Sequence, residues 1–200
     1  MQDFGGSKRD DAFGGGASSR GFSFSLIVMH WLTAITLILG VTSIELREFL
    51  SIENPIRPYL RQAHYLMGFS VFIFVFGRVY FRLKYGVPPP LSSRWIAVIS
   101  RLVQGGFYIL MFCQPVVGLL QIQSGGGKFS IFGCTFPVLI NESAIINDWM
   151  KELHSFVGNA FVLLVFVHVS GALVSHYIVR DETLKRMLDL NGARGRSASV

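Results

Sequence analysis

The chain has 200 residues, 51% of them hydrophobic and only 15% charged, with a mean hydropathy of +0.48. Those proportions exclude an ordinary soluble domain of this length and point to a chain folded in a bilayer. The net charge of +6 would suggest nucleic acid in a soluble protein; here the placement of the charges argues for membrane topology and no nucleic acid.

Residues 1–22 are polar and rich in Gly, Ser and Asp, the composition of a disordered tail and not of a signal peptide's charged region. Four apolar runs follow, from about Phe24 to Ile44, His64 to Leu83, Leu102 to Ile122 and Leu153 to Val179. Each is long enough to cross about 30 Å of hydrocarbon as a helix. No small-residue cleavage pattern follows the first run, so it is read as retained. The expected fold class is all-α: a transmembrane four-helix bundle spanning residues 23–188, with a basic C-terminal tail at 189–200. Four spans put both termini on one side, with Lys8, Arg9, Arg20, Arg78, Arg82, Lys84, Arg94, Arg101, Arg180, Lys185, Arg186, Arg194 and Arg196. The other side holds only Arg47, Arg57, Arg61, Lys128 and Lys151. The positive-inside rule then makes both termini cytoplasmic and turns the loops at 45–63 and 123–152 outward.

In the first span, His30 lies about two turns inside the cytoplasmic boundary. An imidazole in hydrocarbon needs a partner, and an ionisable group there is a candidate for function. Trp31 beside it reads as a packing or anchoring aromatic. The second span opens with His64 near the outer boundary and ends in Gly77-Arg78-Val-Tyr-Phe-Arg82-Leu-Lys84 before Val87-Pro-Pro-Pro90, which cannot continue a helix. Arg82 and Lys84 read as headgroup contacts. Arg78 is deeper, either snorkelling or partnering a buried anion such as a porphyrin propionate or a polarised quinone oxygen.

The third span has no histidine and reads as a brace, with small residues for close helix approach and a kink at Pro115. The long outer loop carries Ser124-Gly-Gly-Gly127, which lacks the flanks of a phosphate-binding motif. Its semi-apolar stretch from Phe129 to Ile140 is expected to lie over the bundle mouth. Cys113 and Cys134 fall at different depths, so no internal disulfide is expected. There is no C-x-x-C-H, so any haem is held by coordination alone.

The fourth span carries His154 at its outer end and His168 below its middle, fourteen residues apart. Just under four helical turns separate them, so both imidazoles project from nearly the same face, about 21 Å apart along the axis. Alternating helix direction then sorts the histidines by depth: His64 with His154 near the outer surface, His30 with His168 nearer the cytoplasm. Two axial imidazoles on facing helices are what a six-coordinate b-type haem requires. Gly68, Gly158 and Gly171, three or four residues after a histidine, would let a porphyrin edge approach the backbone. Interhelical hydrogen bonding is the alternative for any single histidine. Zinc fits poorly, because no cysteine or carboxylate completes a tetrahedral set and Glu152 is expected to face water. His176, near the cytoplasmic interface, reads as solvated or as a proton donor or quinone contact.

These residues resemble the bacterial cytochrome b561 family, four-helix dihaem proteins of the inner membrane. The resemblance covers about residues 23–188. It is carried by His30-Trp31-Leu32, the histidine opening the second span, Arg82-Leu-Lys-Tyr-Gly-Val-Pro-Pro-Pro90, Pro115-Val-Val-Gly-Leu119, the His154/His168 spacing, and His176-Tyr with Asp181-Glu-Thr-Leu-Lys-Arg-Met187. It implies two haem b groups, the inner iron held by His30 and His168 and the outer iron by His64 and His154. It also implies an oxidoreductase of the superoxide oxidase kind, taking electrons from periplasmic superoxide and passing them to ubiquinone, with Arg78 and His176 as candidate quinone or propionate contacts. Against a member near in pattern, Ser175-His176 stands in place of two adjacent histidines and Val179 in place of a tryptophan. Two other readings remain: a quinone-linked cytochrome b subunit fed by a protein partner in a dehydrogenase or reductase complex, and a haem-free scaffold or metal carrier.

Overall fold

The computed structural model describes residues 21–88, 94–131, 133–190 and 193. The tail cations Lys8, Arg9, Arg20, Arg194 and Arg196, and the prolines Pro89 and Pro90, lie outside the described residues. The remainder forms four long helices: α1 (Phe24–Phe49), α2 (Arg57–Tyr85), α3 (Arg94–Ser124) and α4 (Ala144–Val174). A π-helical turn, Ser175–Val179, extends α4, and a short α5 (Thr183–Leu188) follows. All four long helices are apolar and long enough to cross a membrane. Their outward faces match a hydrocarbon solvent: on α4, Phe166 is 69% exposed and Leu163 63%.

Each helix runs further than the apolar run that announces it. Ser23 caps α1 by accepting from the Leu26 N–H, and Ser143 caps α4 by accepting from the Ile146 N–H. Pro58, placed by the sequence in the outer loop, instead sits in the first turn of α2, where its missing N–H costs nothing. Gly86 ends α2 with φ +70°, a conformation that favours glycine. His64 and His154 therefore lie within their helices and not at the first turn.

Glycines set the packing. Gly40 and Gly77 admit Met67 and Met29 between α1 and α2, and Gly106 admits Leu164 between α3 and α4; an added Cβ at each would stand 3.2 Å from its neighbour. Two tight helix pairs result, α1 with α2 and α3 with α4, joined by a looser α2–α3 contact. Between them Val71, Val75, Met111 and Phe161 form a buried cluster, with Leu37, Phe107 and Val165 against it. Phe161 is seven residues from both His154 and His168, Val71 seven from His64 and Leu37 seven from His30. Seven residues are about two turns, so this cluster is a mid-depth plug separating the His64 and His154 level, expected to be the outer one, from the His30 and His168 level.

The loop between α3 and α4 folds back onto α2. Antiparallel strands β1 (Ser130–Ile131) and β2 (Cys134–Thr135) bring Phe129 and Phe136 against Phe69, with Tyr65 also meeting Phe129, at ring separations of 5.2–6.4 Å. Gln62 donates to the Ser130 carbonyl. Cys113 and Cys134 are both free thiols.

Candidate haem site

The structure brings the four histidines together in the pairs read from depth. The ring centres of His64 and His154 are 6.1 Å apart, and those of His30 and His168 are 6.2 Å apart. Each pair crosses from the α1–α2 slab to α4. Among the described residues no group of three or more His, Cys, Asp or Glu could hold a metal ion, and Glu152 is exposed, so each pair offers two nitrogens alone.

The outer pair is built in detail. His64 Nδ1 lies 2.9 Å from the Gly40 carbonyl oxygen. A carbonyl only accepts, so Nδ1 carries the proton, and in a neutral imidazole Nε2 is then the bare nitrogen. Opposite it, the His154 ring leans on Gly118, where an added Cβ would stand 3.0 Å from Cε1 and 3.3 Å from Nδ1. Gln114, one turn earlier on the same face of α3, donates from Nε2 to the His154 main-chain carbonyl at 2.9 Å. His154 Nδ1 and Gln114 Oε1 are both buried without a hydrogen-bond partner.

The inner pair differs. His30 has Trp31 edge-on at 5.4 Å, and His168 has Phe107 edge-on at 5.3 Å. The Arg78 side chain turns inward, with Nη1 3.4 Å from His30 Nδ1 and its guanidinium 5.8 Å from the Tyr108 ring centre. Arginine only donates, so in this arrangement His30 Nδ1 is the acceptor. His176 sits in the π-helical turn, a local geometry found often at functional sites; its Nδ1 is buried and unpartnered and its ring packs on Tyr177. It is thus less solvated than an interfacial histidine. Among the described residues no hydrogen bond joins it to Arg78.

The glycine expectation divides. Gly68 has open space where a Cβ would project, whereas Gly158 is filled by Gln114 Nε2 at 3.1 Å and serves helix packing. Gly171 also meets no protein atom but is exposed. Sequence reasoning missed Gly118, Gln114 and the Gly40 carbonyl. It also missed the Trp31 Nε1 donation to the Met187 carbonyl at 3.0 Å, which ties α5 to the inner end of α1. The signal for Gly118 was present: it falls four residues after Gln114, on one face of α3.

Facing imidazole pairs along a bundle of membrane-length helices are the arrangement by which a membrane cytochrome of the b type holds haem. A family model for prokaryotic cytochrome b561 matches residues 21–189. A probable superoxide oxidase of Yersinia pestis is 27% identical over 169 residues, covering 84% of this chain and 95% of the relative. A cytochrome b561 homologue of Escherichia coli K12 is 27% identical over 171 residues, 84% and 96% of the two chains. A cytochrome b562 of Cereibacter sphaeroides is 26% identical over 177 residues, 84% and 95%. The chain belongs to the prokaryotic cytochrome b561 family, haem-binding electron-transport proteins of the membrane.

The residues present fit haem. Two metal–imidazole bonds of about 2 Å, with each nitrogen about 1 Å from its ring centre, set ring centres about 6 Å apart, as found here. Edge-to-face packing alone spans the same range. What favours a metal is the bare Nε2 of His64 opposite His154 and the open space beside Gly68. At the inner pair His30 and His168 would hold the group, and His30 Nδ1, which now faces Arg78 Nη1 at 3.4 Å, would carry the proton if Nε2 were the ligand.

Proposed function

We propose that this chain is a dihaem b oxidoreductase of the bacterial inner (plasma) membrane, passing electrons from periplasmic superoxide to ubiquinone, with both termini cytoplasmic. The observation that carries the reading is the pair of facing histidine sets at two depths, separated by the plug around Phe161. In the overall reaction two superoxide anions each lose one electron and become dioxygen. One ubiquinone gains both electrons and two protons and becomes ubiquinol.

His64 and His154 would hold the outer haem, and His30 and His168 the inner one. Bound there, haem b supplies a one-electron carrier at each level. The protein's part is to orient and to insulate. The Gly40 carbonyl fixes the His64 tautomer, Gly118 and Gln114 set the His154 ring and backbone, and the mid-depth plug keeps water from joining the two levels. At the outer end, a polar cleft of about 380 Å³ is lined by Arg47, Glu53, Asn54, Arg57 and Arg61, among others. Arg57 donates to the Arg47 and Leu50 carbonyls, and Arg47 pairs with Glu48. Arg61 forms no ion pair among the described residues, leaving a cation to draw an anionic donor. At the other end Arg78 and His176 are the candidate quinone or propionate contacts, His176 with a buried, unpartnered Nδ1.

The relative named as a probable superoxide oxidase supports the donor. The test is the purified chain mixed with pulsed superoxide and a ubiquinone analogue. Haem reduction followed by quinol is expected. Ferric haem that stays ferric, with no quinol formed, refutes the reaction and favours a cytochrome b subunit fed by a protein partner.

A further inference from the structure

We propose that the groove between α2 and α3, on the half of the bundle that carries His30 and His168, binds an anionic phospholipid. One acyl chain lies in the groove and the phosphate meets Arg82 and Lys84. This goes beyond the electron-transfer reading and does not depend on it.

The groove exists because α2 and α3 touch least among the sequential long helices. It has a volume of about 750 Å³, and its walls include Phe76, Tyr80 and Leu83 from α2 and Tyr108, Ile109 and Phe112 from α3. From Val75 to Leu83 it runs about 12 Å along α2. The walls are hydrocarbon and aromatic surface and offer an acyl chain dispersion contacts on both sides.

Cations gather toward one end, with the Arg78 guanidinium also 5.8 Å from the Tyr108 ring centre. The Arg82 guanidinium stands 5.9 Å from the Tyr108 ring centre and donates to Gln104 Oε1 at 3.2 Å. That bond uses one of five N–H donors and neutralises nothing. Lys84 Nζ lies 5.8 Å and 5.3 Å from the Tyr80 and Tyr85 ring centres. Neither cation forms an ion pair among the described residues. Tyr80, Tyr85 and Trp95, all exposed, mark this end as headgroup depth. An apolar slot that opens at headgroup depth beside two unneutralised cations is complementary to an anionic amphiphile. A neutral isoprenoid tail would fill the slot and leave the charges unmatched.

The full-length protein in detergent, given equal amounts of dioleoyl phosphatidylglycerol and dioleoyl phosphatidylcholine, is read by native mass spectrometry. Retention of phosphatidylglycerol over phosphatidylcholine is expected. Arg82→Gln should lower that preference about fivefold, and adding Lys84→Gln should lower it on the order of 20-fold. Lys84 is exposed, so Lys84→Gln alone keeps the test available if Arg82→Gln disturbs folding. Ile109→Trp, which fills the slot, should reduce retention of both lipids. Equal retention of the two lipids, a preference unmoved by the charge variants, or retained ubiquinone in place of phospholipid overturns the proposal.

Discussion

Gly118→Ala is a small change with a calculable consequence. A Cβ at this position stands 3.0 Å from His154 Cε1 and 3.3 Å from Nδ1, while non-bonded carbons settle at about 3.5–4.0 Å. The ring must therefore yield by about 0.5–1 Å. It cannot yield freely, because Gln114 holds the His154 carbonyl at 2.9 Å and His64 faces the ring at 6.1 Å. Overpacking of this kind costs about 1–3 kcal/mol, set against about 0.5–1 kcal/mol gained from Gly→Ala in a helix. The net penalty falls on the outer histidine pair, and haem affinity there should drop on the order of tenfold. The inner pair, about 21 Å away along α4, should be untouched. The assay is haem titration of the apoprotein with the haem-to-protein ratio taken from the pyridine haemochrome, alongside circular dichroism to confirm the helices. Full outer occupancy with an unchanged α band would refute the placement of His154 as a ligand braced by Gly118.

Gly68→Leu makes the complementary case: no protein atom lies within 4 Å of its added Cβ, so helicity should persist while outer haem is lost; retention of both haems would mean the space serves no cofactor. Trp31→Phe removes the bond to Met187, worth about 1 kcal/mol. Hydrogen exchange in α5 should then speed about fivefold while the four long helices keep their protection; unchanged exchange in α5 would show that the bond does not anchor it.

The fold was legible because a bilayer imposes simple rules. Apolar length alone announced α1 to α4, and the 3.6-residue period placed His154 and His168 on one face. Depth then assigned partners, since antiparallel helices put early residues of one beside late residues of the next. What could not be read was lateral detail. Nothing in Gln114-Pro115-Val-Val-Gly118 says which neighbour its face meets, and Gly158 and Gly68 look alike in sequence, yet one is closed by Gln114 and the other is open. Helix ends were misplaced for a related reason. Pro58 falls in the loop by sequence, but in a first turn it is harmless, and Ser143 caps a helix that begins nine residues before the apolar run at Leu153. Arg78 had two readings from sequence, snorkelling or partnering a buried anion; its Nη1 lies 3.4 Å from His30 Nδ1, a neighbour that neither reading named.

In the proposed function His154 and His168 of one helix serve two separate haems. The haem-to-protein ratio and reduced spectrum of His154→Ala, set against the unaltered chain, test it most directly. Two haems b per chain should fall to one, with the remaining α band that of a low-spin bis-histidine inner site. Loss of neither haem, or of both with the helices intact, would contradict the pairing.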